Sequence, residues 1–254
     1  METIVMEVVL PLVAIALMYF WLGRFPKSFS KSKNSRREIA EVLGLWLLAF
    51  LVMIAFMASL PADAFKGIPS NSLLLSNIAY MILPLVIVPF LYVVYVQKWN
   101  RFDLGFRMPR AWPTVIFATL LFALAGLAPY LFGWTESLTW TLIAFAVYQP
   151  AFTEEFFFRV ILQGKLERAL GQNKAWFYSG ILFGLFHVPV DFFGPQWYSS
   201  GESYLAAFIM LFSQITAGWI FGIIYSKTRS IFPGMLAHFM TDARLSSVVL
   251  NLMN

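Results

Sequence analysis

Eight apolar runs of about membrane-spanning length divide this chain and leave little choice of fold. They lie near 3–22, 39–60, 73–97, 112–133, 137–162, 175–193, 204–225 and 231–250. Roughly 20 consecutive apolar residues suffice for a helix to cross bilayer hydrocarbon. The expected fold class is therefore all-α: a polytopic membrane protein, a bundle of about eight transmembrane helices. No internal repeat, heptad pattern or soluble domain stands out, so residues 1–254 read as a single integral membrane domain. Composition agrees: only 12% of residues are charged, against the ~25% that clothe a typical soluble domain. The opening METIVMEVVL is acidic and no small-residue cleavage site follows it, which reads as a retained first helix rather than a signal peptide. The absence of cysteine excludes disulfides, a thiol nucleophile and thiolate metal sites.

The formal charge of +5 suggests nucleic acid only until the bases are placed. Arg24, Lys27, Lys31, Lys33, Arg36 and Arg37 share one loop, and Lys98, Arg101, Arg107 and Arg110 another. Arg159, Lys165, Arg168 and Lys174 flank a third turn, and Lys227 and Arg229 a fourth, whereas the opposite side keeps Lys66 and Arg244. Lysine and arginine concentrate in cytoplasmic loops. The pattern predicts a multi-pass cell-membrane protein with both termini non-cytoplasmic, anionic lipid at its cytoplasmic face and no nucleic-acid partner. Phe25 and Phe29 in the first basic loop are either interface-dipping aromatics or ordinary loop residues.

Ionisable groups inside spans cost about 2.5–3.5 kcal/mol each at a helix centre on insertion scales, so they mark function. The candidates are Glu7, Glu154, Glu155, Arg159, His187, His238 and Asp242, a set that contains both histidines of the chain. In FTEEFFFRV, residues four apart share a helical face while neighbours diverge by about 100°. Glu155 and Arg159 are thus expected to pair, leaving Glu154 pointing elsewhere without a local cation. An unneutralised carboxylate in apolar surroundings suits a general base working near neutral pH; the structural alternative is two glutamates ending a helix at the interface. Gln149-Pro150, just before them, is expected to interrupt the span.

In FGLFHVPVD, Phe183 and His187 are again four apart, and Asp191 lies one turn further on, where it could orient His187. Gly180 with Gly184, and Gly218 with Gly222, have the G-x-x-x-G spacing that lets helices approach closely in lipid. In GMLAHFMTDA, His238 and Asp242 share a face: an ionised Asp242 would orient the ring, and a protonated one would donate a hydrogen bond. Each histidine motif also has a structural reading, a single polar contact satisfied inside a bundle. From helical rise, Glu154, His238 and His187 lie roughly 12, 10 and 18 Å from the cytoplasmic ends of their spans. One carboxylate base, two imidazoles and an acid at similar depth form a set suited to activating water, which points to hydrolysis.

Together, Glu154-Glu155-x-x-x-Arg159, Phe183-x-x-x-His187 and His238-x-x-x-Asp242, in that order over roughly residues 140–246, resemble the CPBP family. That family includes the type II CAAX prenyl endopeptidases and the bacterial Abi proteins linked to bacteriocin self-immunity. The resemblance implies an intramembrane endopeptidase in which Glu154 activates water with His187 assisting, and His238 and Asp242 stabilise the oxyanion. It assigns Glu155, Arg159 and Phe183 a supporting role. The chain departs from the prenyl proteases at 242, where they carry asparagine; an ionised aspartate cannot donate to an oxyanion. The substrate would be a prenylated CAAX-type tail or a membrane or leader peptide. No cofactor is implied, although Glu154, His187 and His238 could supply three zinc ligands. The rival reading is non-catalytic: a proton-coupled transporter or a bacteriocin-immunity binding protein.

Overall fold

The computed structural model describes residues 9–59, 71–127, 140–193 and 204–243. Glu7, Lys66, Arg244 and the ends of several expected spans lie outside them. All regular structure among the described residues is helical, in eight stretches that follow the eight apolar runs. These are α1 (Leu10–Phe20), α2 (Ser35–Ser59), α3 (71–96), α4 (Trp112–Ala125), α5 (140–170), α6 (172–193), α7 (Tyr204–Thr228) and α8 (Phe232–Asp242). Three stretches, Ser35–Ser59, Leu75–Val96 and Tyr204–Thr228, are long and apolar enough to cross a membrane; α1 and α4 are shorter apolar helices.

The outward faces are those of a protein dissolved in lipid. Along α4, Trp112, Ile116, Leu120 and Leu124 form an exposed stripe one turn apart, while Thr114, Ala118 and Phe122 are buried on the other side. On α2, Leu43, Leu47, Leu51 and Ile54 are likewise exposed. Apolar faces turned outward along helices of this composition suit a hydrocarbon surrounding.

At the centre stands α5, buried from Gln149 to Gln163 except at Phe152. It begins as an α-helix (Trp140–Ala146), winds as a wide π-helix over Val147–Gln163, and closes as an α-helix over Gly164–Leu170. The expected break at Gln149-Pro150 is therefore a widening. Proline has no N–H for the i→i−4 ladder and its ring crowds the carbonyl four residues back, and i→i+5 pairing gives that turn more room. The same association recurs in α3, where π turns at Leu83–Ile87 and Tyr92–Val96 accompany Pro84 and Pro89.

The small residues act as expected where α6 crosses α7. A Cβ added to Gly218 would lie 2.8 Å from Gly180 Cα, so the two backbones touch there. Gly222 instead admits Gln163 of α5, whose amide donates to the Gly222 carbonyl at 2.9 Å and to Ser226 Oγ at 2.8 Å.

One end of the bundle is a layer of buried charge. Lys165 Nζ lies 2.6 Å from Glu38 and 2.5 Å from Glu41. Arg229 grips Glu167 through both terminal nitrogens, at 2.6 and 2.7 Å. Arg229 has a left-handed backbone (φ 56°) just after α7, a conformation that costs an L-residue roughly 1–2 kcal/mol and that the bidentate grip offsets. Lys227, fully buried, donates to carbonyls at the C-terminal end of α1, those of Tyr19 at 3.1 Å and Gly23 at 2.7 Å among them, where the helix dipole favours a cation. Thus Lys165, Lys227 and Arg229, expected to lie against anionic lipid, are engaged inside the protein. Phe25 and Phe29 fold inward as well: Phe25 lies under Lys227 at 4.6 Å, and Phe29 under Arg168 and Arg229 at 4.8 and 4.6 Å.

Candidate active site

The three motifs converge. α5 contributes Glu154, Glu155 and Arg159, which are 5%, 1% and 0% exposed; α6 contributes Phe183 and His187; α8 contributes His238, 7% exposed.

His187 sits where α6 is interrupted, between Gln172–Phe186 and Val188–Phe193. The sequence predicts one helix over 175–193, but Pro189 has no amide to continue the ladder. The turn tightens there, and the His187 amide bonds to the Gly184 carbonyl at 3.0 Å rather than to that of Phe183. The Phe183 carbonyl so released is taken by the His187 ring, Nδ1 standing 2.8 Å away. A carbonyl only accepts, so Nδ1 carries the proton and the neutral ring presents Nε2 as a bare acceptor. That nitrogen faces Glu154 Oε2 at 3.9 Å. The Phe183 carbonyl, not Asp191, orients the ring; Asp191 bonds to His187 only through its backbone amide, at 2.9 Å.

Glu154 and Glu155 diverge as helical geometry requires. Glu154 accepts a hydrogen bond at Oε1 from Gln149 Nε2 at 3.1 Å and turns Oε2 to His187. Glu155 Oε1 receives Arg159 Nε at 3.3 Å, and His238 Nδ1 lies at the same 3.3 Å, within ion-pair reach but not aligned as a hydrogen bond. The expected Glu155–Arg159 pair is thus present and is shared with His238. Arg159, counted in the sequence with the bases flanking a turn, is instead wholly inside the site. Its guanidinium lies 4.8 Å from the Phe183 ring centre and 3.5 Å from Ser179 Oγ, and Ser179 is anchored to the Phe158 carbonyl at 2.9 Å.

Aromatic rings wall the two imidazoles. Phe183 lies 4.7 Å from the His187 ring and 6.0 Å from that of His238, and Phe221 lies 4.0 Å from His238. A Cβ on Gly234 would strike the Glu155 carboxylate, so this glycine lets α8 close onto α5 and sets His238 beside Glu155. Asp242 ends α8 in an exposed position one turn beyond His238; His238 Nδ1 faces Glu155. Of the three candidate zinc ligands, Glu154 and His187 face each other while His238 turns toward Glu155. Among the described residues no three His, Asp or Glu side chains converge to hold a metal ion.

Three contributors carry no strong sequence signal: Gln149, Phe221 and Gly234. Gln149 hides because an α-helical reading separates residues 149 and 154, and only the π winding stacks them. Gly234 stands in the third motif, yet its meaning depends on a neighbour 79 positions earlier in the chain.

Residues 135–244 match the family model of the type II CAAX prenyl endopeptidases, described as Rce1-like. Over this region the chain is similar to the CAAX proteases. The match takes in all three motifs, from the start of α5 to the end of α8, and leaves α1–α4 outside it. No curated protein and no solved structure matches the chain significantly.

Proposed function

We propose that this protein is an intramembrane endopeptidase of the CAAX type, hydrolysing a peptide bond with water activated by Glu154 and His187. The observation that carries the reading is the 3.9 Å between Glu154 Oε2 and His187 Nε2. A water about 2.8 Å from each acceptor would donate one hydrogen to the carboxylate and the other to the imidazole, leaving a lone pair for attack. Both acceptors are in the required state: His187 Nδ1 is held by a carbonyl, and Gln149 donates to the far oxygen of Glu154.

In this mechanism the water oxygen bonds to the scissile carbonyl carbon as Glu154 takes its proton. The oxyanion so formed is stabilised by His238, which Glu155 and Arg159 hold from behind. Collapse breaks the C–N bond, and Glu154 returns the proton to the departing amine. Asp242, one turn along α8, contributes to His238 or to the oxyanion from the rim of the site.

The family description supports a prenylated CAAX-type tail as substrate, and the aromatic walls suit a lipidated peptide. The basic end of the bundle is proposed as the cytoplasmic end, with exposed Lys31, Lys33 and Arg36 meeting anionic lipid. The test is cleavage, followed by mass spectrometry, of a farnesylated CAAX-type peptide and of unprenylated membrane peptides by wild type and by Glu154→Gln. Removing a general base should cost about 10²–10⁴-fold. Full activity in a clean preparation of Glu154→Gln would end the proposal, and peptide binding without cleavage by wild type would favour the non-catalytic alternative.

A further inference from the structure

We propose that Gln149 is a positioning residue for Glu154, and that the π winding of α5 exists in part to bring it there. The inference rests on the reading of Glu154 as the base. In an α-helix, residues five apart point about 140° away from each other, and a glutamine at 149 could not reach residue 154. With i→i+5 winding over Val147–Gln163, the two stack, and Gln149 Nε2 donates to Glu154 Oε1 at 3.1 Å. Pro150 sits inside this widened segment, so the proline that looks like a helix breaker belongs to the device that aligns the amide with the acid.

The amide is itself held. Thr153, wholly buried, turns its hydroxyl to the Gln149 backbone carbonyl and to Gln149 Oε1, the latter at 3.3 Å. The hydroxyl's one proton is shared between these two oxygens, with the backbone carbonyl the nearer, and its weaker contact favours Oε1 on the Thr153 side and the NH₂ group toward Glu154. Gln149 is nearly buried, so water does not compete for the bond. The consequence is directional: with Glu154 Oε1 held by Gln149, rotation of the carboxylate is opposed, and Oε2 is kept turned to His187 and the attacking water. Gln149 itself is not required to touch the substrate.

Gln149→Met keeps side-chain length and removes the donor, and Thr153→Val keeps shape and frees the amide. With the peptide that wild type cleaves, Gln149→Met should lower kcat about ten- to hundred-fold, as expected for loss of a hydrogen bond to a charged group, while KM moves less than about twofold. Thr153→Val should show a smaller loss in the same direction. Difference infrared spectra against Glu154→Gln identify the Glu154 carboxylate band, and that band should shift in Gln149→Met. An unchanged kcat and an unmoved band in Gln149→Met overturn the inference. If that variant does not fold, an unchanged kcat and band in Thr153→Val do so. Wild-type activity in Glu154→Gln would instead overturn the proposed mechanism, and the infrared band still decides the contact on its own.

Discussion

Two regions of this protein bury charge in lipid-bound surroundings, and they treat it in opposite ways. In the layer at the basic end, the carboxylates of Glu41 and Glu167 are saturated. Glu41 accepts from Arg37 at 2.7 Å, Tyr92 at 2.6 Å and Gln97 at 2.8 Å, besides its contact with Lys165. Glu167 takes both arms of Arg229 and the Phe29 amide at 2.8 Å. In the candidate active site, Glu155 Oε2, Arg159 Nη2 and His238 Nδ1 are buried without a hydrogen-bond partner. Buried polar atoms are nearly always paired, so unfilled capacity has to be explained, and the proposed role in binding reacting atoms would explain it. The charge layer ties α1, α2, α3, α5 and α7 together. The candidate cluster leaves donor and acceptor capacity unused.

This contrast breaks first at Glu154. Glu154→Gln should lose about 10²–10⁴-fold in peptide cleavage while melting, in detergent, at or above the wild-type temperature, since it removes an uncompensated buried charge. Cleavage assay and thermal unfolding on one preparation separate the two effects. Arg229→Met should behave in the opposite way. Removing one partner of a buried pair strands the other, at a cost of about 3–5 kcal/mol, read as a large fall in thermal midpoint. The double variant Glu167→Met with Arg229→Met should recover most of that loss. A midpoint that stays put in Arg229→Met would mean the layer is not the fastening described here.

Gly234→Ala probes the boundary between the two kinds of region. Its Cβ would meet the Glu155 carboxylate, forcing either α8 or Glu155 to move, and over-packing of this sort costs about 1–3 kcal/mol. Because the displaced group is the one that holds Arg159 and His238, activity should fall further than stability does. Equal losses in both would make Gly234 a packing residue only.

The two regions also differ in how far the sequence betrays them. Apolar runs locate eight helices because a backbone in apolar surroundings must satisfy its polar groups internally, and both histidines are conspicuous as polar residues where polarity is costly. The i,i+4 rule finds Glu155 with Arg159 because that spacing stays close even in a widened helix. It misses Gln149 with Glu154, since no residue pattern announces i→i+5 winding, although Pro150 hints at a departure from the α ladder. It sets Asp242 on the face of His238 and overlooks Glu155, because contacts between helices depend on how α8 seats against α5, which a glycine decides. The basic residues are legible as a cluster yet not by role. Lys33 and Lys227 look alike in sequence, and only the approach of α1 turns the second into a helix cap.

The smallest effect tests whether the charge layer depends on its aromatic lining. Phe29 lies under two guanidiniums, those of Arg168 and Arg229, but its tie to Glu167 runs through the backbone amide. Phe29→Leu removes both cation–π contacts and leaves that amide, together with the Glu167–Arg229 pair, in place. The loss should be about 1 kcal/mol, the scale of partly desolvated cation–π contacts, with peptide cleavage unchanged. A loss as large as that of Arg229→Met would show that the ring, by excluding water from the pair, is what makes the charge layer strong. A change in cleavage with stability intact would show that the layer and the candidate active site are coupled through α5, and the separation of fastening from chemistry would not hold.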